Sequence, residues 1–91
     1  MDSNFEVEFT KRGEKYLDKL SRVDIEKVIL KSKQLKSFPR SQRNIKRLSG
    51  FKDCYRLRIG KIRVVFKVNN GDRIIWIFGV DYRDKVYKRN F

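Results

Sequence analysis

The chain has 91 residues, 24 Lys and Arg against 11 Asp and Glu, and a formal net charge of +13. With 40% hydrophobic and 13% aromatic residues it can fill one modest core, which argues for a single domain spanning 1–91 and against disorder. The five-residue run Ile74–Phe78 is too short to cross a bilayer, one cysteine allows no intrachain disulfide, and the lack of histidine removes His-based catalysis and His-containing metal sites.

In chain order, Phe5-Glu6-Val7-Glu8-Phe9 alternates with period two and predicts a strand with Phe5, Val7 and Phe9 inward. Thr10 is a candidate N-cap for a short helix carrying Tyr16, Leu17 and Leu20. Gly13 should weaken that helix by about 1 kcal/mol relative to Ala. Ser21-Arg22-Val23-Asp24 has the pattern of a capping box and opens a second, longer helix. Its apolar stripe is Ile25, Val28, Ile29, Leu35 and Phe38, and Pro39 stops it.

After a polar stretch the period returns to two. Tyr55, Leu57 and Ile59 alternate with Cys54, Arg56 and Arg58; Gly60 marks a tight turn. Ile62, Val64, Phe66 and Val68 form the next inward set. Asn69-Asn70-Gly71-Asp72 reads as a hairpin turn, and Ile74–Phe78, apolar on both faces, as a central strand with Trp76 in the core. These elements predict an α+β fold of order β-α-α-β-β-β, two antiparallel helices on a twisted, mainly antiparallel sheet.

Charge is concentrated in the second part of the chain. Residues 1–39 carry 9 basic and 7 acidic side chains, and residues 40–91 carry 15 and 4. The outward positions of two adjacent strands bring Arg56, Arg58, Lys61, Arg63 and Lys67 to one sheet face. Like charges on neighbouring strands repel by tenths of a kcal/mol to about 1 kcal/mol per close pair, so a bound polyanion would relieve the face. Nucleic acid is the favoured target, with an acidic protein next and a lipid surface last. Arg supplies a planar fork suited to phosphate oxygens; Lys alone suffices for solubility or for protecting a sheet edge. Lys46 and Arg47 either extend the basic groove or are simply exposed. Cys54 reads as a half-buried filler in basic surroundings that favour its thiolate.

The ordered set Lys46-Arg47-Leu48-Ser49-Gly50, Tyr55-Arg56-Leu57-Arg58-Ile59-Gly60, Arg63-Val64-Val65-Phe66 and Tyr82-Arg83-Asp84-Lys85-Val86-Tyr87 resembles the RelE/ParE toxin superfamily. Asp53-Cys54-Tyr55-Arg56-Leu57-Arg58 is closer to its RelE branch. The resemblance implies a toxin, neutralised by a small RelB-like antitoxin, that cuts messenger RNA in the ribosomal A site. The basic half of the chain favours an acidic antitoxin. The polar start Met1-Asp2-Ser3-Asn4 predicts the cytoplasm, and the composition, with no histidine, one cysteine and no Gly-rich nucleotide motif, predicts neither metal nor cofactor. It implies catalytic roles for Arg63, Arg83 and Tyr87, and RNA-binding roles for Arg56 and Arg58, to which position and charge add Lys52, Lys61, Lys46 and Arg47. Asp81 and Tyr82 stand where some relatives carry arginine and histidine. Two alternatives remain at this point: a non-enzymatic gyrase inhibitor like ParE, and a plain RNA-binding module.

Overall fold

The computed structural model describes residues 4–39 and 44–82. Two helices and a 3-10 turn lie on one face of a five-stranded sheet. The elements are β1 (Glu6–Phe9), α1 (Lys11–Asp18), α2 (Arg22–Ser32), a 3-10 turn (Lys33–Ser37), β2 (Ile45–Arg47), β3 (Cys54–Ile59), β4 (Ile62–Asn69) and β5 (Ile74–Tyr82). The spatial order is β1-β5-β4-β3-β2. Every pairing is antiparallel except β1 with β5. β5 is therefore the internal strand expected from its two apolar faces, and the sheet is mixed.

Local chemistry sets the helix starts. The Thr10 hydroxyl accepts from the Gly13 amide at 2.9 Å, and the Ser21 hydroxyl accepts from the Asp24 amide at 3.2 Å. The long second helix is shorter than expected: the α form ends at Ser32, and the tighter turn that follows carries Leu35 into the core. The buried stripe follows Val28, Ser32 and Leu35, with Ile25 half-buried. Ile29 falls beside that narrow stripe and is exposed. β2 had no sequence signal of its own, since Ile45-Lys46-Arg47 is too short to show alternation.

The core is built as the alternation predicts. Leu17, Leu20, Val28 and Leu35 from the helical layer meet Leu57, Ile59, Ile62, Val64, Phe66, Val68, Ile75, Ile77 and Val80 from the sheet. Phe38 closes one end, with ring centroids 4.9 Å from Tyr55 and 5.8 Å from Phe66.

Gly13 has a role that helix propensity hides. A Cβ there would run into the Ile77 carbonyl, because α1 presses on β5 at that point. Gly13→Ala is therefore expected to destabilise by about 1–3 kcal/mol in urea unfolding, as overpacking does, although propensity alone would favour Ala by about 1 kcal/mol.

Candidate functional site

The sheet face away from the helices is organised as cross-strand rows. Register places Arg58 opposite Arg63, and Arg63 opposite Asp81. Two residues along, Lys46, Arg56, Val65 and Gly79 form a second row. A third contains Cys54, Lys67, Trp76 and Glu8. Directly paired residues share a face with Cβ atoms about 5 Å apart, so Arg56, Arg58, Arg63 and Lys67 are gathered as expected, and Lys46 joins them. Lys46, Arg56 and Arg58, with Asn44 and Ile45, line a concavity of about 340 Å³ at the β2–β3 edge. Three cations around one hollow suit a phosphate.

Individual placements differ from the expectation in depth. Arg58 and Lys67 are exposed and Arg56 is half-buried. Arg63, expected to stand in solvent, is only 4% exposed, and Asp81 only 5%. Alternation tells which side of a sheet a residue takes, not how deeply its side chain is set. Nη1 of Arg63 donates to the Gly60 carbonyl at 3.4 Å. The Asp81 Oδ1 accepts from the Tyr82 amide at 2.7 Å. Arg63 is thus a charge sunk into the face between a like charge on β3 and an opposite charge on β5.

Lys61 occupies the β3–β4 turn, where Gly60 takes a φ of +58°, and is exposed beside the face. Lys52 is exposed in the β2–β3 loop. Arg47 pairs with Tyr55 and so projects to the helix side of the sheet, away from Arg56 and Arg58. Arg83 and Tyr87 lie outside the described residues.

Trp76 corrects the sequence reading. It is 38% exposed on the cationic face, in register with Lys67, and it is no part of the buried core. Hydropathy marked β5 as apolar on both sides but could not say that one side is open. An exposed indole between Lys67 and Glu8 offers a stacking surface for a base.

Two groups drop out of the chemistry. Burial pushes the Cys54 thiol up, outweighing the opposing pull of Lys67, so it is not poised as a thiolate nucleophile. Tyr82 packs against the core, and its hydroxyl donates to Asp24 Oδ2 at 2.8 Å, which raises its pKa and commits it to bracing β5 against α2. Because the folded-state value is raised, that contribution is fully present below about pH 10 and is lost as pH rises through the higher folded value. The Tm advantage of the wild type over Tyr82→Phe is therefore expected to be constant from neutral pH to about pH 10 and to shrink above it.

Comparison with known proteins follows the same lines. The family described as "ParE toxin of type II toxin-antitoxin system, parDE" matches residues 7–87. The Methanocaldococcus jannaschii protein named "Putative toxin RelE1" is 37% identical over 86 residues, covering 92% of this chain and 96% of that protein. The archaeal RelE–RelB complex from Pyrococcus horikoshii contains a chain with 27% identity and a TM-score of 0.71, covering 88% of this chain and 96% of that one. The RelBE2 toxin–antitoxin complex of Mycobacterium tuberculosis gives a TM-score of 0.76 at 23% identity over 88% of this chain and 92% of that one, a likeness of fold.

Proposed function

The chain belongs to the ParE toxin family of type II toxin–antitoxin systems and is a toxin of RelE type, and we propose that it acts as an endoribonuclease on messenger RNA in the ribosomal A site. The observation that carries this is the cationic sheet face, with Arg63 sunk between Arg58 and Asp81 and Trp76 exposed beside Lys67.

The chemistry needs no histidine. The 2′-hydroxyl of one nucleotide loses its proton and attacks the adjacent phosphorus, the bond to the 5′-oxygen of the next nucleotide breaks, that oxygen takes up a proton from water, and the products are a 2′,3′-cyclic phosphate and a 5′-hydroxyl. Holding the attacking and leaving oxygens in line is worth up to about 7–11 kcal/mol in favourable geometry. Charge that develops on the non-bridging oxygens is stabilised by fixed guanidiniums, Arg63 first and Arg83 second. Guanidinium stays protonated and is a poor proton carrier. The proton from the 2′-hydroxyl is therefore assigned to Tyr87, the phenol to which the family resemblance points. Arg56, Arg58, Lys46, Lys52 and Lys61 hold flanking phosphates. No metal enters this scheme, because its charge stabilisation comes from side-chain cations.

Contact with about five phosphates of single-stranded RNA gives an expected log–log salt slope near −3.5, measurable by anisotropy across a salt series. A flat response would contradict a phosphate-gripping face. An acidic RelB-like antitoxin is the partner proposed to silence the toxin in its own cell, the basic face favouring fast association. The test of function is end-group analysis of messenger RNA recovered from a cytoplasmic translating extract in the presence of chelator. Fragments with 5′-hydroxyl and cyclic-phosphate ends support the proposal. Intact messenger with inhibited DNA gyrase would favour the non-enzymatic alternative that the family's ParE description also admits.

A further inference from the structure

On the helix side of the sheet, opposite the cationic face, lies a second concavity of about 570 Å³. Phe5, Phe38 and Tyr55 supply aromatic walls, Arg47 and Arg73 supply charge, and Asn70 supplies an uncharged polar group. No Asp or Glu is among the described residues that line it.

Arg73 is held in place. Its guanidinium carbon sits 3.8 Å from the Phe5 ring centroid, and Nη1 donates to Asn70 Oδ1 at 3.2 Å. Its backbone takes a φ of +53°, a left-handed conformation that Gly or Asn fills at lower cost. An arginine at such a position keeps a guanidinium at the mouth of the cleft. Arg47 approaches from the other side, on edge strand β2, in register with Tyr55. Its neighbour Lys46 is in register with Arg56 on the opposite face. One short edge strand thus presents a cation to each side of the sheet, and a polyanion crossing that edge meets positive charge throughout.

We propose that this cleft is a second nucleotide-binding subsite, in which single-stranded RNA leaving the cationic face passes over β2, seats a base against Phe38 and Tyr55, and places a phosphate between Arg47 and Arg73. This rests on the RNA-directed function proposed above. Aromatic walls recognise the flat face of any base, and guanidiniums recognise the phosphate, so the subsite extends the footprint without setting sequence preference.

The test is fluorescence anisotropy with labelled oligouridine of about 4 and about 12 nucleotides, lengths that bracket one binding surface and two. Arg47→Glu and Arg73→Asn, the latter chosen because Asn suits the left-handed backbone, should each weaken the longer RNA by about tenfold and the shorter by less than about twofold. Joint replacement of Arg56 and Arg58 by Ala should weaken both lengths. If only that pair has an effect, the cleft proposal falls and the RNA reading stands. If the wild type binds neither oligonucleotide, both fall. Photocrosslinking of the wild type with the longer RNA carrying 5-iodouridine checks the proposal without relying on variants. Adducts on Phe38 or Tyr55 support it, and adducts confined to the cationic face overturn it. Labelling of Tyr55 by an acidic photoreactive peptide, with none by RNA, would assign the cleft to a protein partner and also overturn it.

Discussion

Arg63→Lys is expected to leave RNA affinity within a few-fold of wild type and to slow messenger cleavage by about 10²–10³-fold, the loss typical of removing one donor aimed at transition-state charge. The side chain is buried on β4, so the protein rather than bulk water orients it. A charge fixed before reaction interacts most strongly with charge that appears during reaction, which lowers the barrier more than it strengthens binding. Lys keeps the charge but lacks the planar fork that spans two phosphate oxygens. Arg63→Ala is the less clean experiment. It removes a buried positive charge from the position opposite the buried carboxylate of Asp81, and loss of one of two neighbouring opposite charges in a buried site destabilises the fold. Thermal unfolding should separate the two variants, with the Lys form close to wild type and the Ala form well below it. Equal losses in affinity and turnover for Arg63→Lys would show that Arg63 only grips the strand.

Tyr87→Phe should reduce turnover by about 10²–10⁴-fold with little change in affinity, the range associated with a positioned proton-transfer group. The contrast with Tyr82 sharpens the test. Tyr82 is also a phenol near the C-terminal end of the chain, but its proton is committed to Asp24 and its pKa is raised. Tyr82→Phe should therefore change alkaline stability and leave cleavage almost intact, while Tyr87→Phe should do the reverse. Full activity in Tyr87→Phe would remove that residue from the mechanism.

Much of the fold was legible in the sequence because its main signals were periodic. Tyr55, Leu57 and Ile59 on β3, and Ile62, Val64, Phe66 and Val68 on β4, face the core as alternation requires. Thr10 and Ser21 cap the helices as their positions suggest. What escaped was set by tertiary context. β2 is three residues long and owes its existence to pairing with β3. The α form yields to a 3-10 turn after Ser32, carrying Leu35 into the core. Gly13 looked like a weakness and is a point of close approach to β5.

The site was legible in the same partial way. Charge and alternation put Arg56, Arg58, Lys61, Arg63 and Lys67 on one face; register groups Arg56, Arg58, Arg63 and Lys67 there, while Lys61 falls in the β3–β4 turn. Period two carries no information about depth, so the burial of Arg63 and the exposure of Trp76 emerged only from three dimensions. Arg47 adjoins Lys46 in the sequence, but adjacency in a strand sends neighbours to opposite faces. Arg73 gave no signal, since its significance lies in its contact with Phe5 across the start of the sheet.

In the proposed function a sunken guanidinium on a cationic sheet face drives cleavage of messenger RNA. Primer extension on a defined message, incubated with wild-type protein or with Arg63→Lys in the presence and absence of translating ribosomes, tests it most directly. New 5′ ends within codons are expected when wild-type protein meets ribosome-bound message, and their near disappearance with Arg63→Lys. Equal cleavage by the two proteins, or an intact message with both, would contradict it.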